Sequence, residues 1–244
     1  MKLYHGTSMQ ALPKILKNGI RPRSEEIVGN WEEFPSKTGY VYLTVAYALY
    51  FAITATKEDK NDERKFVIVE IESDHLRQNR LCPDEDFIGQ VRSHQEEISL
   101  KKATEECNPL DYRTHWKLSL EKMGNCCYYG KVPVTAITRY AIIDTKINWK
   151  LTFLGLDPTI SIMNFRLMSK KYTSLISHIF DGTEIYDEQA LFQPWKDIDD
   201  VPGLEFANKM FADAKAFQKE MQDLRGSSIQ VFKYSSIEVV DVIN

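Results

Sequence analysis

Apolar residues recur at helical spacing in two N-terminal stretches and gather into short extended runs elsewhere. Met9, Leu12, Ile15 and Leu16 form the first helical pattern, with Thr7 or Ser8 as its cap and Gly19 as its stop. Pro13 falls just past the first turn of that helix, where a missing N–H is awkward. The second pattern joins Val45, Ala48, Leu49, Ala52, Ile53 and Thr56 on one face, with Thr44 as cap. Runs with strand character are Lys2–His5, Tyr40–Leu43, Phe66–Ile71, Cys126–Tyr129 and a stretch within Val132–Ile143. Arg21–Thr38, punctuated by Pro22, Gly29 and Pro35, reads as a loop, and the charged Lys57–Lys65 as a solvated turn. Ser93–Met123 is mostly helical, interrupted at Asn108-Pro109. Strands and helices are thus mixed through residue 145, an α+β pattern.

Beyond residue 145 the texture changes. Thr159–Phe180 and Gly203–Leu224 read as helices, the second with a stripe of Leu204, Ala207, Phe211, Ala214, Phe217, Met221 and Leu224. Ser228–Tyr234 and Ile237–Ile243 read as strands joined by a polar turn. The expected organisation is a core over residues 1–145 and a mainly helical extension over 146–244, ending in a β-hairpin and packed on the core.

With 244 residues, 43% of them hydrophobic, the chain can bury a sizeable core. Its formal net charge of −4 gives no global pull toward nucleic acid, although Arg166, Lys170 and Lys171 make a small local basic group. The longest apolar run, Val45–Ile53, falls short of the about 18 residues a membrane helix needs. No signal-peptide pattern precedes the first strand, so a cytoplasmic location without a membrane partner is expected. Cys82, Cys107, Cys126 and Cys127 contain no CxxC pair and lie at no metal-ligand spacing from a His. They read as small buried residues, with Cys126 and Cys127 on opposite faces of a strand. Leu81–Phe87 reads as an acidic loop, and its Asp84-Glu85-Asp86 lacks the spaced partners of a metal site and reads as solvated, so no metal is expected. His75, His94, His115 and His178 read as structural, and Trp116, Leu120 and Met123 as core.

One stretch carries a chemical signature. Leu3-Tyr-His5-Gly-Thr-Ser8 is followed by a helix ending in Asn18-Gly-Ile20, then a loop, then Gly39-Tyr-Val-Tyr42-Leu-Thr44 and an Ala-rich helix. Tyr129-Gly-Lys-Val-Pro-Val-Thr-Ala-Ile137 closes the pattern. Over residues 3–143 this order resembles the NAD-binding half of ADP-ribosyltransferases of the diphtheria-toxin and PARP type, including bacterial and phage toxin-like members. The resemblance implies a split β-sheet core and NAD+ as co-substrate. It also implies transfer of ADP-ribose to a macromolecular acceptor, nucleic acid or protein, with a nucleic-acid base among the candidates. An antitoxin protein is an expected partner for such a toxin or phage-defence factor.

The chemistry suits these residue types. His5 can hydrogen-bond ribose hydroxyls, and Thr7 can touch a ribose. Gly6, lacking a side chain, can let its backbone approach the nicotinamide carboxamide. Tyr42 can stack on the pyridinium, with Tyr47 or Tyr50 as a second wall or, equally, as a cap on the core. Arg21 and Arg23 stand where the family often places groups on the NAD phosphates. The family's third catalytic residue is normally Glu, and Asn125 falls at that position. Asn can bind a ribose hydroxyl but brings no charge to favour an oxocarbenium-like transition state. Glu121, Glu70 and Glu72 are the alternatives for that role. Rival readings are a non-catalytic NAD or ADP-ribose-binding module and an RNA 2′-phosphotransferase-like enzyme.

Overall fold

The computed structural model describes residues 1–24, 36–57, 65–145, 173, 176–182 and 234–242. The expected helix over 203–224, most of that over 159–180, the strand residues before Tyr234 and the group Arg166, Lys170 and Lys171 lie outside them.

Among the described residues, seven antiparallel strands form one sheet. They are β1 (Lys2–Ser8), β2 (Tyr40–Thr44), β3 (Lys65–Glu72), β4 (Leu81–Pro83), β5 (Asn125–Tyr129), β6 (Ile137–Thr145) and β7 (Tyr234–Asp241). Their spatial order is β4-β5-β2-β1-β3-β6-β7. Helices α1 (Leu12–Asn18), α2 (Ala48–Lys57), α3 (Glu85–Gln95), α4 (Leu100–Glu106) and α5 (Trp116–Met123) complete an α+β architecture.

The inner strand β3 carries apolar residues on both faces. Phe66, Val67, Ile68, Val69 and Ile71 of β3 are each at most 3% exposed. Alternation divides them between two cores. Val67, Val69 and Ile71 pack with Leu3, Val41, Leu43, Trp116 and Leu120. Phe66 and Ile68 pack with Tyr4, Ala48, Leu49, Ala52 and, from the far end of the chain, Ile176, Ile179 and Phe180. β7 extends the same sheet by pairing with β6. The described residues after 145 are therefore built into the same core and sheet. The polar turn expected at Ser235-Ser236 is instead part of continuous β7.

β1 runs on through Thr7 and Ser8, which are buried in the sheet rather than capping a helix. The helix start moves to Ala11, which makes no side-chain cap bond, and Pro13 falls in its opening turn. There the missing N–H costs nothing, because the first amides of a helix have no partner within it. Thr44 matches its expected role closely: its hydroxyl accepts the amides of Ala46 and Tyr47 just ahead of α2. Cys126 and Cys127 do face opposite cores.

Gly6 owes its identity to this packing. A Cβ there would lie 2.0 Å from the Ala48 carbonyl oxygen and 2.3 Å from the Ala52 nitrogen. The space that an absent side chain was expected to open for a ligand is taken by the backbone of α2.

Candidate active site

β1 and β2 share a single aligned pair, Tyr4 opposite Thr44. Elsewhere β1 aligns with β3 along all seven of its residues, and β2 with β5 along all five of its own. Just past the shared pair, the His5 Nδ1 lies 3.0 Å from the Tyr42 carbonyl oxygen. A carbonyl only accepts, so Nδ1 is the donor, which fixes the tautomer. Burial lowers the His5 pKa, and the bond to Tyr42 offsets this only in part. The ring is therefore neutral near pH 7, and its Nε2 is a bare acceptor.

The Tyr42 hydroxyl is engaged on both sides. It accepts the Lys37 amide at 2.8 Å and donates to Glu85 Oε1 at 2.6 Å. Burial, and then the nearby Glu85 charge, push the Tyr42 pKa well above its usual value, so the phenol keeps its proton. With the hydroxyl committed, what Tyr42 can offer a ligand is its ring face.

Glu85 belongs to the triplet expected to form a solvated loop. The structure corrects that expectation. Pro83 pairs with Cys126 at the end of β4, and α3 begins at once, with Asp84 as its N-cap accepting the Asp86 amide at 2.9 Å. Asp84 and Glu85 are each only 6% exposed. Burial raises the pKa of both, and the neighbouring acidic charges add to it; Glu85 reaches about 7, held from rising further by the Tyr42 hydroxyl. Residue type alone suggested solvent. The readable signal was an Asp ahead of two acidic residues and an apolar periodic run, the start of a helix.

Asn125 opens β5 opposite Thr44 and is buried. Its carbonyl accepts the Ser119 hydroxyl at 2.7 Å, and Ser119 Oγ in turn accepts the Asp84 amide at 3.0 Å. Ser119 thus ties Asn125 to the start of α3. Gly124, just before, ends α5 in the left-handed conformation at φ 75°, and its carbonyl accepts the Thr44 hydroxyl at 2.8 Å. Asn125 and Cys127 lie on one face of β5, and Cys127 packs with Tyr40, Cys82 and Tyr42. Among the described residues, Glu85 Oε2 and Asn125 Oδ1 are both buried without a hydrogen-bond partner.

The other expected residues fall elsewhere. Glu70 is fully buried but bound by Arg139 at 2.6 Å, Thr138 at 2.6 Å and Lys2 at 2.9 Å. Burial alone would raise its pKa; those bonds more than offset it and bring it to about 2. Glu72 pairs with the N-terminal amine, and Glu121 is exposed beside Lys122. Tyr47 is 2% exposed with its ring edge over Gly124. Arg21 is exposed, whereas Arg23 is bound into the turn before β2 through its guanidinium on the Ser36 carbonyl. The Tyr50 side chain lies outside the described residues. Among the described residues no cluster of three His, Cys, Asp or Glu is arranged to hold a metal, and no helix is long and apolar enough to cross a membrane.

No family model matches the chain, and no curated protein matches it. Among solved structures, EcPltA is similar with a TM-score of 0.35 and 9% identity, over 59% of this chain and 77% of that one. A likeness that slight carries no argument about the fold or the activity.

Proposed function

We propose that the protein transfers ADP-ribose from NAD+ to a macromolecular acceptor and releases nicotinamide. The observation that carries this reading is the meeting of His5 and Tyr42, 37 positions apart in the chain, through the 3.0 Å bond from the imidazole to the Tyr42 carbonyl. These are the two residues that the sequence resemblance marks for NAD+. Their chemistry here suits the co-substrate: a neutral imidazole with an accepting Nε2 can receive a ribose hydroxyl, and a tyrosine ring can lie against a cationic pyridinium.

The missing charge at Asn125 speaks for binding without turnover. Glu85 answers it, since an ionisable carboxyl hydrogen-bonded to Tyr42 brings negative charge to the same group of residues. Loss of nicotinamide builds positive charge on the ribose, and a carboxylate held beside it favours that state over the ground state.

The test is incubation with NAD+ labelled in its adenosine half, alongside separate pools of RNA, DNA and protein, with nicotinamide release measured in parallel. Label in one pool matched by released nicotinamide is the expected result. Neither label nor release in any pool would overturn the reading.

A further inference from the structure

We propose that Cys82 and Cys127 are a redox pair that a peroxide oxidises to a disulfide, latching the chain segment between them. Cys82 of β4 and Cys127 of β5 stand directly opposite each other in the antiparallel pairing. Opposed residues point to the same face of a sheet, and both cysteines pack with Tyr40 in one small core. Opposed Cα atoms lie about 4.5–5.5 Å apart, inside the about 4.4–6.8 Å that disulfides span. The two strands therefore need no rearrangement to be joined. The other cysteines have no such partner. Cys126 stands opposite Pro83 and packs in the core on the other face, and Cys107, at the end of α4, donates to the Thr104 carbonyl at 3.2 Å.

The two thiols differ in reactivity. The Cys127 thiol hydrogen-bonds the Cys82 sulfur and lowers the Cys82 pKa; burial opposes this shift and the Arg113 charge adds to it. Burial, and then the same bond, push the Cys127 pKa well above its usual value. Cys82 is thus the member that forms a thiolate and Cys127 the one that resolves it. Both side chains are buried, so the oxidant must be small, such as hydrogen peroxide. β4 gives it a way in: the strand is three residues long and forms one edge of the described sheet, where local opening breaks few bonds.

The step balances. The Cys82 thiolate attacks one peroxide oxygen, the O–O bond breaks, and hydroxide leaves to take up the proton that Cys82 released. Cys82 is then a sulfenic acid. The Cys127 sulfur attacks Cys82 Sγ, the S–O bond breaks, and the hydroxyl departs with the Cys127 proton as water. Two thiols are oxidised to one disulfide, and one peroxide is reduced to two waters. The Cys127 thiol gives up its 3.2 Å bond to the Pro83 carbonyl in the process. Between the joined residues run α3, α4 and α5, with Glu85 and Ser119 among them. The disulfide closes that whole segment into a loop and so restricts the unfolded chain.

NAD+ takes no part in this step, so its test stands or falls apart from the ADP-ribose transfer reading. Hydrogen peroxide is added to the reduced wild-type chain, free thiols are blocked, and the digest is read by mass spectrometry without reductant. The expected product joins the Cys82 peptide to the peptide carrying Cys126 and Cys127, two hydrogens short of their sum, and its fragments place the bond on Cys127. The link is expected to persist in Cys126→Ala and to vanish in Cys127→Ala. Oxidised wild-type protein is expected to unfold at a higher urea concentration than reduced protein, and dithiothreitol to restore the reduced midpoint. No cross-link, a cross-link through Cys126 or Cys107 in place of Cys127, or equal urea midpoints for the two forms would overturn the proposal.

Discussion

The His5 imidazole donates to the Tyr42 carbonyl at 3.0 Å, one residue past the only aligned pair that β1 and β2 share. A side chain thus continues a link between strands where backbone alignment has ended. Replacing His5 with Phe removes that donor and the Nε2 acceptor together. Loss of the hydrogen bond is expected to cost about 1–3 kcal/mol in chemical denaturation. The variant is expected to lose NAD+ binding by calorimetry, and wild-type affinity would show that His5 does not hold the co-substrate.

Gly6→Ala tests the approach of α2 to β1. The new methyl would sit 2.0 Å from a backbone oxygen, where no side chain can rotate away. The expected destabilisation is about 1–3 kcal/mol or more, from overpacking a dense core. A urea midpoint equal to wild type would refute this close contact.

Tyr42→Phe leaves the ring and removes the hydroxyl. Glu85 then loses the bond that holds its pKa down, so the carboxyl is expected to titrate above about 7. Carbon-detected NMR on labelled Glu reads this directly. An unmoved or lowered value would mean that the hydroxyl does not stabilise the Glu85 carboxylate.

The pH dependence of stability has contributions of opposite sign from Glu70 and from the buried acidic cluster Asp84, Glu85 and Asp86. Glu85 has a folded pKa raised from 4.5 to about 7, so between those values the folded state keeps a proton that the unfolded chain releases. Its contribution therefore falls as pH rises through that window, by about 3 kcal/mol. Glu70 is lowered to about 2, so its contribution is present above 4.5 and is lost as pH falls toward 2. Glu85→Gln is expected to lessen the loss from pH 4.5 to 7, the buried Asp84 and Asp86 carrying the remainder, and to leave the acid limb in place. An unchanged slope between pH 4.5 and 7 would contradict a protonated, buried Glu85.

Arg139→Met probes how the chain beyond residue 145 is held. Arg139 binds Glu70, Asp181 and the Phe180 carbonyl, and its guanidinium lies 5.1 Å from the Phe180 ring centre. Removing it strands part of the charge on fully buried Glu70, at a cost of about 3–5 kcal/mol. Faster hydrogen exchange at residues 176–181 should accompany the loss. Unchanged exchange there would show that residues 176–181 are held by their apolar contacts alone.

Local pattern was enough to locate most of the elements. Phe66–Ile71 announces β3 by its β-branched residues, and Gly19 ends its helix as its backbone freedom predicts. The element starts were harder to read. Thr7 and Ser8 have the residue types of a helix cap, but seven-residue pairing with β3 draws them into the sheet. Ser235 and Ser236 have the polarity of a turn, but pairing with β6 keeps the strand running. In both places a partner distant in the chain supplied hydrogen bonds that outweighed local preference.

The same division runs through the candidate site. The α+β alternation, the His-Gly-Thr strand and the tyrosine strand are each written in neighbouring residues. Long-range packing alone brings His5 to Tyr42, fills the space beside Gly6 with α2, and bonds Glu85, not Glu70 or Glu121, to Tyr42. Burial is the cause. A carboxylate's residue type predicts solvent, and its ionisation, its partners and its uses change once strands and helices far apart in the chain close over it.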